Sequence, residues 1–200
     1  VATGSAIKRT VDGGENWSTL LAGKNPFKIR FSRKVQGAPI YIGCGWNSIY
    51  RSTDGGESWV GPLGEGFTFI QDMDACDAVP EVVYAAINSS GHLYRSDDAG
   101  ESWKTIGADF TGIGVDVAAD PTNPLHAVAH FKGQGLFVTW DGGENWTPSI
   151  PGVASSIIRE LEFLDFVGQW VGVATKDGFY VSHNGGASFA LTMEGMGASF

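Results

Sequence analysis

Residues 52–59 read STDGGESW, and the chain repeats that phrase along its whole length. Copies stand at 10–17 (TVDGGENW), 96–103 (SDDAGESW) and 139–146 (TWDGGENW), with a worn copy at 182–189 (SHNGGASF). The acidic or amide position falls at Asp12, Asp54, Asp98, Asp141 and Asn184, in steps of 42, 44, 43 and 43. A fixed period in the forties sets the architecture before any other feature is read.

Each copy has the chemistry of a tight turn. The Gly-Gly pair supplies positive φ. The Asp carboxylate and the Ser or Thr hydroxyl can take up backbone N–H groups inside the turn. The aromatic residue at Trp17, Trp59, Trp103, Trp146 and Phe189 returns to the sheet with a large ring to bury. A short strand precedes each box, such as SIYRS (48–52) and HLYRS (92–96). Another lies upstream, such as PIYIGCG (39–45) and EVVYAAI (81–87). A third lies further upstream, such as FKIRFS (27–32) and FIQDMDA (69–75), and a fourth follows the box, such as SWKTI (102–106). β-Branched and aromatic content with alternation supports a strand at each place. Each period therefore holds four strands, A to D, with the box joining C to D.

Composition agrees with an all-β chain. Gly is 29 of 200 residues and charged residues are only 18%. The net charge of −9 and the absence of a basic run exclude a nucleic-acid surface. No apolar stretch of about 18 residues exists to insert in a membrane. Cys44 and Cys76 show no metal spacing and read as two small buried side chains, with a disulfide as the alternative. No metal site and no cofactor is expected.

Four-stranded units at this period are the signature of a β-propeller. The S/T-x-D-x-G-x-x-W phrase resembles the Asp-box, or BNR repeat. The chain is similar to the Asp-box propellers: sialidases, the receptor domain of sortilin, family 74 xyloglucanases and photosystem II assembly factors. The stretch VAADPTNPLHAVAHFKGQGLFVTWDGGENW (117–146) carries the likeness to the last three. The resemblance implies a propeller of four-stranded blades. It implies little about function, because the family spans hydrolases, receptors and chaperones. It also implies that the boxes are structural, since a residue needed once for chemistry does not recur in every blade.

The expected organisation is one domain over 1–200. Its blades are 1–22 completed by the C-terminal tail, 27–62, 67–106, 111–150 and 155–193. From Asn184 the usual step to the next strand A reaches Ser199, so the chain reads as five blades closed by the tail 195–200, or as part of a larger propeller. The A–B and C–D turns share one face of such a fold, which assigns ligands to the other. That face collects Trp46, Asn47, His92, Lys132 and Gln134. An aromatic ring beside an amide suits a sugar, with stacking on one and hydroxyl contacts on the other.

Aligning strand A across blades sets Arg30, Asp72, Asp116 and Glu160 at one register, facing the channel. Crowded carboxylates separate their pKa values, as acid and base do in glycoside cleavage. A structural ring of charges, with Arg30 paired to a neighbouring carboxylate, is the competing reading. The sialidase motif is not met: FKIR (27–30) has Lys28 where that family places its Arg and Arg30 where it places Pro. QDMDACDAV (71–79) faintly resembles the acidic strand of family 74. The expected function is a non-catalytic binding or assembly propeller for a glycan or a protein. A glycoside hydrolase, or a degenerate relative, using Asp72, Asp116 and Glu160 is the alternative. A virion or cell-surface structural component is a further one, and such an extracellular or virion-surface setting is slightly favoured.

Overall fold

The computed structural model of the protein describes residues 2–45, 48–67, 69–87, 92–107, 110, 114–150 and 157–192. Among them there are nineteen strands and no helix. The strands form five antiparallel sheets in sequence order. The first holds β1 (Ala2–Thr3), β2 (Ala6–Arg9) and β3 (Ser18–Ala22). The second holds β4 (Pro26–Phe31), β5 (Ile40–Cys44), β6 (Ser48–Ser52) and β7 (Val60–Leu63). The third holds β8 (Ile70–Ala75), β9 (Val83–Ile87), β10 (His92–Ser96) and β11 (Lys104–Ile106). The fourth holds β12 (Gly114–Ala119), β13 (Ala127–Phe131), β14 (Gly135–Thr139) and β15 (Thr147–Ile150). The fifth holds β16 (Ile158–Phe163), β17 (Val171–Thr175), β18 (Phe179–Ser182) and β19 (Ala190–Leu191). These are the blades of a β-propeller, and each box joins the last two strands of its blade.

Alternation along each strand sends side chains to both faces of a blade, so each inter-blade seam is an apolar core. Ile7, Ile42, Cys44 and Tyr50 fill the seam between the first and second blades. Tyr41, Ile49, Ile70 and Met73 fill the next. Tyr84, Leu93, Val117 and Phe131 fill the third, and Val128, Leu136, Leu161 and Val173 the fourth. No equivalent core joins the fifth blade to the first among the described residues. The tail 195–200, expected to close that seam, lies outside them. Cys44 and Cys76 are buried free thiols in different seams.

The five boxes share one hydrogen-bond scheme. In the second blade Ser52 Oγ donates to Asp54 Oδ1 (2.8 Å) and accepts from Gly56 N (2.8 Å). Asp54 Oδ1 accepts from Ser58 N (2.9 Å). Asn184 does the same in the worn copy, accepting from Ser188 N at 3.0 Å while its Nδ2 donates to Ser188 Oγ. These bonds hold Asp12 and Asp54 well below the usual carboxylate range. Asp98 and Asp141 come down to about 2, led by Ser102 and Asn145 respectively. Trp59, Trp103, Trp146 and Phe189 pack into the seam with the preceding blade. Among the described residues no preceding blade packs on Trp17, which is 44% exposed.

Candidate functional site

The inner strands β4, β8, β12 and β16 line the channel, and the A–B ladders fix their true register. Lys28 pairs with Gly43, Asp72 with Ala86, Asp116 with His130 and Glu160 with Ala174. Lys28 therefore shares the tier with Asp72, Asp116 and Glu160. Arg30 sits one tier away, level with Asp74 and Glu162. The alignment that put Arg30 on the first tier counts from the boxes across D–A connections of unequal length. Strand pairing, not that count, sets the register.

In the first tier Lys28 Nζ lies 2.8 Å from Asp72 Oδ1 and 3.5 Å from Glu160 Oε1. Asp72 is 3% exposed, and its Oδ2 accepts from Val117 N at 3.1 Å. Burial pushes the Asp72 carboxyl up to about 6, outweighing the Lys28 ammonium and the Val117 N–H. Asp116 Oδ2 stands 3.6 Å from Nδ1 of the buried His130. In the second tier Arg30 Nε donates to Asp74 Oδ1 (2.8 Å), and Asp74 Oδ2 accepts from Ala119 N (2.9 Å).

A channel-facing strand is a sheet edge, and its outward N–H groups lack a ladder partner. Asp72 and Asp74 supply acceptors for two such groups on β12. The sequence-level candidates thus divide. Asp72 is buried and engaged at both oxygens, Asp116 adjoins His130, and Glu160 is exposed at the channel wall. Asp116 is close enough to Asp72 for its charge to add to the rise of that carboxyl.

A cavity of about 220 Å³ opens at the box side of the channel, lined by Arg30, Arg33, Asp74, Asp77, Glu162 and Phe163 among others. Asp77 Oδ1 accepts from Arg33 N (3.0 Å), and Asp77 Oδ2 lies 3.4 Å from Arg33 Nε. On the opposite face Lys132 is exposed at the B–C hairpin of the fourth blade, and Gln134 N caps Phe131 O at 3.0 Å. His92 begins β10 in the neighbouring blade. Trp46 and Asn47 lie outside the described residues. His92, Lys132 and Gln134 are spread over two blades, and Arg30 belongs to the box-side cavity. Among the described residues no three His, Cys, Asp or Glu side chains gather as a metal site. No helix is long and apolar enough to cross a membrane.

Sequence reading missed Lys28, which occupies the cation position given to Arg30, and the buried pair Asp120–His126. His126 Nδ1 is 2.6 Å from Asp120 Oδ2. Only its place in the A–B loop, against Arg9, Arg51 and Arg95 in the other blades, could have flagged it.

No family model matches the chain, and no curated protein matches it. Solved structures do. An ancestral GH74 enzyme overlays 86% of this chain with a TM-score of 0.68 at 18% identity. The GH74 enzyme of Niastella koreensis overlays 82% with a TM-score of 0.67 at 18% identity. YCF48 from Cyanidioschyzon merolae overlays 94% with a TM-score of 0.69 at 14% identity. This chain spans 24% and 29% of the two enzymes and 66% of YCF48. At these identities the likeness is one of fold, and the fold is a β-propeller.

Proposed function

We propose that this chain is a non-catalytic binding or assembly module that holds a glycan or protein partner. The observation that carries the reading is the engagement of Asp72. It is buried, ion-paired to Lys28 and hydrogen-bonded to Val117 N–H, so it braces the channel rather than meeting a substrate. The loops opposite the boxes, with Trp46, Asn47, His92, Lys132 and Gln134, are the proposed ligand face. A glycan-array screen of the parent beside Trp46→Ala tests it: binding lost in the variant supports a lectin-like role, and binding that survives refutes this face.

One observation favours the alternative of a glycoside hydrolase. The Asp72 carboxyl is raised toward the value of a general acid. The neighbours include a GH74 xyloglucanase from Xanthomonas campestris (TM-score 0.66, 18% identity, 82% of this chain and 29% of that one), so xyloglucan is the substrate to try. Turnover abolished by Asp72→Asn or Asp116→Asn would replace the binding reading with the hydrolytic one.

A further inference from the structure

The box face carries large apolar side chains that stay exposed even where, as with Trp140 stacked on His126, one ring face is packed. Phe31, Leu125, Trp140, Phe166, Val167 and Trp170 are each at least 44% exposed. All six stand where strands A and B or C and D are joined. Those joints lie on one face, because box N–H groups bond to A–B loop carbonyls: Gly142 N to Leu125 O (2.7 Å) and Gly185 N to Gln169 O (2.8 Å).

The residues form a continuous path. Phe31 and Arg33 line the box-side cavity, and the Arg33 guanidinium sits 4.7 Å over the Phe166 ring. The loop then runs through Val167 and Gly168, and the Gly168 carbonyl and the Trp140 ring both border Gly185. Trp170 completes the path, its ring tilted against that of His183 with centroids 4.2 Å apart. Asp165 holds this loop by accepting from Gly168 N (3.0 Å) and Trp170 N (3.2 Å). Exposed apolar surface rimmed by polar groups marks an interaction site.

The charge of the box face as a whole, rather than that of the path's nearest neighbours Arg33 and Lys34, selects the partner. The box turns and A–B loops hold more than half of the chain's 22 Asp and Glu, while Arg33 and Lys34 are the only Lys or Arg in them. Arg33 lies against Asp77, and Lys34 Nζ is directed to the carbonyls of Phe166 (2.7 Å) and Pro121 (3.3 Å). Arg9, Arg51 and Arg95, at the adjoining strand ends, pair with Glu57, Glu101 and Asp97. Box carboxylates such as Asp141, beside Trp140, stay ionised far below neutral pH.

We infer that the box face docks a protein segment in which Lys or Arg alternates with large apolar side chains. Acidic glycans, anionic lipid surfaces and a second copy of this −9 chain all meet like charge there. The inference goes beyond the proposed ligand face and does not depend on the channel being non-catalytic.

The test is calorimetric titration with a short synthetic peptide alternating Lys with Leu and Phe, beside the same peptide carrying Glu for Lys. The Lys peptide binds, binding weakens with added salt, and Phe166→Ser with Val167→Ser weakens it about tenfold. Both side chains are exposed, so an unchanged melting temperature shows the variant folded. Failure of the Lys peptide to bind, equal binding of the Glu peptide, or parental affinity in the variant overturns the inference. A dimer in sedimentation that the same variant dissolves also overturns it, making a second copy the occupant. None of these outcomes touches the glycan-array or xyloglucan results.

Discussion

His126 Nε2 lies 2.7 Å from the Gly185 carbonyl, across the seam between the fourth and fifth blades. The same junction recurs with arginine elsewhere. Arg9 Nη1 donates to Gly55 O (2.7 Å) and Arg51 Nη1 to Ala99 O (2.9 Å). Arg95 lies directly under Gly142, where an added Cβ would sit 1.6 Å from its Nη1. The fourth blade has Val138 at the arginine position, and His126 with Asp120 takes over. Both ring nitrogens lie within hydrogen-bond distance of an oxygen, Asp120 Oδ2 on one side and Gly185 O on the other. Asp120, which burial alone would raise, is held low chiefly by the bond from His126.

His126→Ala leaves Asp120 Oδ2 buried without a bond, while Oδ1 keeps those from Thr122 and Asn123, which costs about 1 to 3 kcal/mol. Adding Asp120→Ala recovers part of that loss, because the orphaned charge goes too. Chemical denaturation of the single and double variants checks this. Additive losses would show that the two side chains do not act as a unit.

The box aromatics should differ by blade. Trp103 fills a seam and its indole Nε1 donates to Gly100 O at 3.0 Å, so Trp103→Ala costs about 3 to 5 kcal/mol. Trp17 makes the same bond to Gly14 O but lies half out of the fold, so Trp17→Ala costs about 1 kcal/mol. Equal melting of the two variants would show that Trp17 is as buried in solution as Trp103.

The raised carboxyl of Asp72 makes stability depend on pH with a defined sign. Its folded value, about 6, lies above the unfolded 3.8, so its contribution is full below 3.8 and lost as pH rises through 6. Asp72→Asn keeps an acceptor for Val117 N–H and removes the titration. The variant gains on the parent by about 2 to 3 kcal/mol between pH 4 and pH 7. A constant difference across that range would place Asp72 in a more solvated setting.

The box carboxylates work in the other direction. Asp98 and Asp141 fall from 3.8 to about 2, so their contribution is present above 3.8 and lost as pH falls through 2. Asn184 makes the same backbone bond without a charge. Asp98→Asn keeps the backbone bond but loses the charge, so at neutral pH it melts below the parent and above Asp98→Ala. An equal loss in both would assign the role to charge rather than to turn closure.

The repeat was legible because each box is a local hydrogen-bond circuit written in contiguous residues. Strand order followed from its period. The channel tiers were less legible. Lys28 and Asp72 meet through two A–B ladders, and the D–A connection before each inner strand varies in length, so counting misplaced Arg30. His126 was hidden for a related reason. It replaces an arginine of strand C from the A–B loop, and only the folded seam brings the two positions together. The apolar path over Phe166 and Trp170 lies in loops where sequence sees only variable residues.

The most direct test of the central claim is release of reducing sugar from xyloglucan by the parent, Asp72→Asn and Asp116→Asn, with melting followed in parallel. A bracing role predicts no turnover by any of the three, while Asp72→Asn changes the pH dependence of melting. Turnover by the parent that either variant abolishes would contradict it and make the channel an active site.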